Sequence, residues 1–267
     1  MRVVTWASVM DGTDPVSTHT SATIGVFDGL HLGHRALVSR VVARSPGLVP
    51  AAFTFTDNPK KTTRPNRFSG CLFSLDQKLA ALEDAGIQLC VLIDFSGNFS
   101  TLAGSEFVST LVRSFGVRSF VVGSDFKCGH RLSTDAVSLK AIAESLGAEA
   151  LIVDPIVVEG EAVSSSRIRA AIADGRTDLA LAMLGRPYTL DLRRIGLGYD
   201  GASASVSLRG RGVVEPAPGT YEATVICKTG RREVEATLRL DGMLRWPREE
   251  RPFESEPAFL AFGPKIA

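Results

Sequence analysis

The chain has 267 residues, 45% hydrophobic and 22% charged, with a formal net charge of +1. That much apolar material supports one large domain or two ordinary ones and excludes a disordered chain. The near-zero charge argues against a general nucleic-acid coat, which needs a basic patch.

In chain order, ATIGVF (22–27) reads as a strand and GHRALVSRVVAR (33–44) as a helix, with Leu37, Val38, Val41 and Val42 on one side and SPG as its stop. LVPAAFTF (48–55) is a strand. SLDQKLAALEDAG (74–86) opens on a Ser74/Gln77 capping box and closes on Gly86. QLCVLID (88–94) is a strand, GSEFVSTLVRSFG (104–116) a helix ended by glycine, and RSFVVG (118–123) a strand. A helix STDAVSLKAIAESLG (133–147), a strand EALIVD (149–154) and two short helices, SSSRIRAAIADG (164–175) and TDLALAMLG (177–185), complete this half. The strands are apolar throughout rather than alternating, as strands covered on both faces are. The expected fold class is α/β: a Rossmann-like parallel sheet with helices on both faces, followed by a smaller antiparallel β domain. Sites in such sheets form beyond the carboxyl ends of the strands.

After Pro187 the texture changes. DLRRIGLG, ASASVSLRG, TYEATVICK, REVEATLRL and MLRW are short runs with KTGR and LDGM as hairpin turns. The tail PREERPFESEPAFLAFGPKIA reads either as a returning last strand or as a segment lying across the surface. The expected domains are residues 1–187 and 188–267.

The four cysteines, Cys71, Cys90, Cys128 and Cys227, form no C-x-x-C pair. Isolated reduced thiols of a cytoplasmic protein are expected, not a disulfide framework or a zinc site. MRVVTWASVMDGTD has no basic region leading into an apolar core, so no signal peptide is expected. No apolar run approaches the roughly 18 residues of a membrane helix.

Chemistry concentrates in GVFDGLHLGH (25–34). Gly25 and Gly29 let backbone N–H groups approach a phosphate closely, and the following helix adds its N-terminal dipole. His31 and His34 lie one helical turn apart and can face one anion. Taken alone, H-x-x-H fits a surface or metal-binding pair equally well; the strand–loop–helix setting favours a nucleotide. VSSSRIR (163–169) presents hydroxyls and Arg169 at a helix start, where an ordinary serine cap is the commoner meaning. FTFTDNP places Phe55, Asn58 and Pro59 at a strand end. VVGSDFKCGHRLS places Asp125 and Phe126 on a loop; both stretches also fit plain connecting turns.

Together, TIGVFDGLHLGH, FTFTDNP, LDQKLAALEDAGI, GSEFV, FVVGSDFKCG, VSSSRIRAAIADG and ALAMLGRPY resemble the prokaryotic-type FAD synthetase, the adenylyltransferase module of bifunctional riboflavin kinase/FMN adenylyltransferase. The resemblance runs from about Thr20 to Tyr188. It implies adenylyl transfer from ATP to FMN with Mg2+, the metal carried by phosphates and water and not by a protein cage. It implies catalytic His31, His34 and Arg169, and ATP contacts from Gly25, Phe27, Asp28, Gly29, Ser165 and Ser166. It also implies a flavin border at Phe55, Asn58, Pro59, Asp125 and Phe126. The expected partners are small molecules, with no nucleic acid and no membrane.

Two departures stand out. Asp57-Asn58-Pro59 replaces the family's Pro-His-Pro, and KCGHRLS lacks a second glycine. In the C-terminal half, RGRGVVEPAPGTY is similar to the kinase module's strand–loop–strand but lacks the Gly-x-Pro-Thr-Ala-Asn motif, and Glu256 stands without the rest of the family's base segment. A degenerate kinase-like barrel without riboflavin kinase activity is therefore expected. The alternatives are an intact bifunctional enzyme, a transferase for another phosphate acceptor, and a non-catalytic flavin-nucleotide binder.

Overall fold

Six strands in the first half of the chain all run parallel. They are β1 (Arg2–Thr5), β2 (Thr20–Ile24), β3 (Val49–Phe55), β4 (Leu89–Ile93), β5 (Val117–Gly123) and β6 (Glu149–Val153), in the order β1-β4-β3-β2-β5-β6. The computed structural model describes residues 1–44, 46–95, 97–193, 195–200, 202–247 and 256–267. Ser45 of the SPG stop and residues 248–255 of the C-terminal tail lie outside this set.

By contact the chain divides into two units, residues 1–65 with 78–157, and residues 66–77 with 158–267. In the first, the helices are α1 (Trp6–Met10), α2 (Leu32–Ala43), α3 (Pro59–Thr63), α4 (Leu75–Asp84, its first turn in the second unit), α5 (Gly104–Ser114) and α6 (Ala136–Ser145). From β2 the chain moves through β3 to β4 in one direction, then crosses to β5 and β6 in the other. Right-handed crossovers running in opposite directions place their helices on opposite faces, so both faces are covered. The reversal point is β2, and the turn into α2 leaves its carboxyl end.

One face of this sheet carries Ala22, Ile24, Phe53, Val91, Phe120 and Val122 against Phe107, Val108, Leu111 and Val112 of α5 and Leu139 and Ala143 of α6. An aromatic group fills its centre. Phe115 stacks on Trp6 at 4.8 Å and meets Phe53 edge-on at 5.2 Å. Trp6 begins α1, which Thr5 and Ser8 close with a reciprocal capping box. The sequence pattern marked neither β1 nor α1. Four residues of strand and five of helix show no full period, and only pairing with β4 and burial against the aromatic group reveal them.

The second unit holds α7 (Ser165–Ala173), α8 (Thr177–Leu184) and β7 (Tyr188–Asp191), β8 (Gly198–Asp200), β9 (Ser203–Ser207), β10 (Gly219–Cys227), β11 (Gly230–Leu238), β12 (Met243–Pro247) and β13 (Pro257–Lys265). These strands form one antiparallel sheet, β7-β13-β10-β11-β12-β9-β8. Both expected hairpins are present, KTGR joining β10 to β11 and LDGM joining β11 to β12. The tail returns as β13, between β7 and β10. Ile168, Ile172, Met183 and Leu184 of the two helices share a core with Tyr188, Tyr221, Leu244 and Phe262 of the sheet.

Of the described residues of DLRRIGLG, only Asp191 belongs to β7 and only Gly198 to β8. The Arg193 N–H donates to the Asp191 carboxylate at 3.2 Å, which turns the chain out of the ladder.

Phe115→Ala empties a fully buried ring position between Trp6 and Phe53. The expected loss is about 3–5 kcal/mol of stability, read by chemical denaturation of the purified chain; a loss under about 1 kcal/mol would show that the aromatic group does not organise the first core.

Candidate active site

The turn from β2 into α2 is made by backbone that side chains rarely adopt. Phe27 has φ 49°, Gly29 φ 84° and Leu30 φ 35°. Phe27 and Leu30 are nonetheless buried. Left-handed backbone at two bulky residues costs roughly 1–3 kcal/mol each, and such strain concentrates where function requires it. At Gly25 the N–H donates to Phe53 O at 3.0 Å. What this glycine supplies is room: a Cβ would lie 3.1 Å from the Phe27 ring.

The turn delivers His31 as the N-cap of α2, its Nδ1 accepting from the His34 N–H at 3.4 Å. An accepting Nδ1 leaves Nε2 to carry the proton of the neutral ring. The two imidazoles stack with centroids 3.7 Å apart and planes 18° apart, and Phe27 meets His34 edge-on at 5.2 Å. His34 Nδ1 is enclosed and has no hydrogen-bond partner among the described residues, and the residue as a whole is half-buried. Burial first, then His31, then the Lys78 ammonium hold the pKa of His34 well below the ordinary histidine value of 6.5. The pair therefore offers N–H donors to an anion at neutral pH without carrying imidazolium charge at His34.

Asp28 is buried on the same turn. Asn58 Nδ2 donates to its carboxylate at 3.5 Å, and Asn58 Oδ1 accepts from the Lys60 N–H at 3.1 Å. Asn58 thus caps α3, with Pro59 in its first turn, and holds the β2 turn to the end of β3. Thr54 Oγ1 donates to Val26 O at 3.1 Å, a second tie between the same two strand ends. Phe55 is half-buried at the end of β3, ringed edge-on by Phe95 at 5.7 Å and Phe99 at 6.2 Å. Asp125, exposed, and Phe126, half-buried, follow β5, the strand paired with β2. Gly25, Phe27, Asp28, Gly29, His31, His34, Phe55, Asn58, Pro59, Asp125 and Phe126 therefore all lie at carboxyl ends of this parallel sheet.

Ser165, Ser166 and Arg169 belong to the second unit. The hydroxyl that caps α7 is that of Ser164, accepting from the Arg167 N–H at 3.2 Å; Ser165 and Ser166 open the first turn. Arg169 is buried, and its Nε donates to Gly70 O at 2.8 Å. Its guanidinium sits 5.8 Å from the Phe68 ring centroid. Gly70 has φ 103°, and a Cβ there would lie 2.3 Å from the Val213 carbonyl, so only glycine fits that crossing.

Sequence reasoning missed Lys78. It is buried in α4, one turn from the buried Leu82, and donates to Phe55 O at 2.7 Å. The available signal was a lysine on the apolar side of LDQKLAALEDAG. Among the described residues, no group of three or more His, Cys, Asp or Glu is arranged to hold a metal ion. Burial pushes the Cys90 and Cys128 thiols up to about 12, which makes them poor nucleophiles. No helix among the described residues is long and apolar enough to cross a membrane.

Residues 14–167 match the family model described as FAD synthetase. The bifunctional riboflavin kinase/FMN adenylyltransferase of Escherichia coli (strain K12) is 29% identical over 212 residues, covering 76% of this chain and 67% of that protein. The protein of the same name from Haemophilus influenzae is 29% identical over 217 residues, 78% of this chain and 70% of that one. Among solved structures, the macrolide-efflux protein from Streptococcus pneumoniae superposes with a TM-score of 0.85 at 23% identity, covering 100% of this chain and 91% of that one, a likeness of fold.

The low pKa of His34 fixes a sign. Below 6.5 the unfolded chain takes up a proton that the folded chain refuses, so stability is whole above 6.5 and falls as the pH drops toward the folded value. The expected slope from this group approaches about 1.4 kcal/mol per pH unit. Denaturation of wild type and His34→Asn between pH 7 and 5 checks it; equal slopes would mean that His34 titrates normally.

Proposed function

The chain belongs to the FAD synthetase family, and we propose that this nucleotidyltransferase moves the adenylyl group of ATP onto FMN, giving FAD and pyrophosphate, without phosphorylating riboflavin. The observation that carries this reading is the stacked His31–His34 pair behind the strained turn, at the carboxyl end of the strand where the sheet reverses. An oxygen of the FMN phosphate attacks the α-phosphorus in line. The new P–O bond forms as the bond to the bridging oxygen breaks, and pyrophosphate leaves with the electron pair. The attacking oxygen is already ionised, so no general base is needed. His31 donates from Nε2, and His34 from its ring N–H, to oxygens whose charge rises as the phosphorus becomes crowded. Arg169, Ser165 and Ser166 are assigned to the triphosphate, and Phe55, Asn58, Pro59, Asp125 and Phe126 to the flavin end. ATP is taken as its magnesium complex, so the metal enters as part of the substrate, carried by the phosphates and water.

The second half supports loss of the kinase step. Its described strands form one seven-stranded antiparallel sheet, yet the Gly-x-Pro-Thr-Ala-Asn segment is absent from the sequence. A barrel without the residues that position ATP is a scaffold and not a second catalyst.

Incubation with ATP, Mg2+ and either FMN or riboflavin is expected to yield FAD from FMN and no FMN from riboflavin. Steady phosphorylation of riboflavin would overturn the kinase reading. Pantetheine phosphate or nicotinamide mononucleotide in place of FMN should give no pyrophosphate, and a better rate with either would reassign the acceptor.

His31→Ala, His34→Ala and Arg169→Ala should each lower kcat/KM by roughly 3 kcal/mol, about a hundredfold, with the fold retained by circular dichroism. The His34→Ala/Arg169→Ala double variant should lose less than the sum of the two, as groups that serve one transition state do. Strict additivity would separate Arg169 from the nucleotide's phosphates.

A further inference from the structure

Lys78 is 5% exposed. Taking an ammonium out of water costs several kcal/mol, and methionine would fill the same volume without that cost. Its Nζ donates to Phe55 O at the carboxyl end of β3. Three residues on, Asn58 holds Asp28 on the turn that carries the histidine stack. The charge of Lys78 is felt by His34 at the start of α2 and by Cys90 in β4. One buried cation thus bears on the ends of both strands that frame the site.

We propose that Lys78 is a positioning residue for adenylyl transfer: its ammonium, anchored on Phe55 O, sets the end of β3 and the electrostatic field in which the His31–His34 stack meets the nucleotide. The inference rests on the adenylyltransferase reading for its catalytic part and on the geometry alone for its effect on the imidazoles. Among the described residues, the charged groups that act on His34 are His31 at the start of its own helix and Lys78 from α4; Asp28, on the preceding turn, is engaged by Asn58. A fixed positive charge there opposes protonation of either ring. His34, stacked on His31 at 3.7 Å, then stays uncharged and keeps its donor aimed. Lys78 does this from behind the backbone of β3, so it acts through the histidines and the strand end.

The test compares Lys78→Met, which keeps volume and removes charge, with Lys78→Arg, which keeps charge. In the ligand-free chain the His34 ring resonance, assigned by its loss in His34→Gln, should titrate at higher pH in Lys78→Met than in wild type. In Lys78→Arg it should move back toward the wild-type midpoint. Turnover of FMN and ATP should fall about tenfold in Lys78→Met, less than on losing a direct donor, and the acid limb of its kcat profile should shift to higher pH. A folded Lys78→Met with the wild-type His34 midpoint and an unshifted acid limb overturns the proposal, since a merely structural lysine would lower stability and leave both unmoved. If Lys78→Met does not fold, Lys78→Gln supplies the neutral variant and the same two readouts decide. If wild type makes no FAD, the adenylyltransferase reading falls, and the ring titration still decides the role of Lys78.

Discussion

The first unit depends on a single tight reversal. Between β2 and α2 the chain passes through Phe27, Gly29 and Leu30 in left-handed backbone. Two of these are bulky residues for which that conformation is unfavourable. Burial of their side chains contributes about 2 kcal/mol each and holds the turn against relaxation. Because the turn is closed so sharply, α2 begins on His31, and the next ring on that face, His34, falls directly over it. A looser turn would start the helix elsewhere and separate the rings. Strain, core packing and site geometry are one feature here.

Around that turn the polar groups divide the electrostatic work. Asp28 carries the negative charge on the loop and is engaged by Asn58, which also caps α3. Lys78 brings positive charge from α4, where it is buried with Leu82. Burial, His31 and the Lys78 charge together hold His34 in its neutral form. The amide of Asn58 does two jobs with its two ends. It fastens one strand end to another and starts a helix at the same time.

In the second unit a comparable economy surrounds residues 66–77. Ser74 and Gln77 form the reciprocal cap of α4, with Ser74 N–H donating to Gln77 Oε1 at 2.9 Å. The same Ser74 hydroxyl donates to Asp191 at 2.7 Å, and Gln77 Nε2 donates to Thr189 O at 3.0 Å. Asp191 is pulled below the usual carboxylate range: burial works against the shift, and the Arg193 and Ser74 hydrogen bonds outweigh it. Arg193 forks onto that carboxylate at 2.8 and 2.6 Å and lies over the Phe259 ring. This clasp fixes residues 66–77 beside β7. Further up the same segment, Gly70 accepts from Arg169. The direction of the arginine assigned to phosphate binding is thus set by a stretch of chain some hundred residues earlier.

What the sequence alone determined is the part governed by neighbours in the chain. The Ser74/Gln77 box, the helix ends at Gly86, Gly116 and Gly147 with their positive φ, and the KTGR hairpin arise from contacts a few residues apart, so their signals survive in one dimension. His31 and His34 were legible for the same reason, being one helical turn apart. Only the tertiary structure decided the rest. The docking of β1, the bond from Asn58 to Asp28, the burial of Lys78 against Phe55, and the grip of Gly70 on Arg169 join residues 23 to 99 positions apart. No periodicity encodes such pairs; they exist because burial leaves each polar group to find its partner in the space where the chain happens to return.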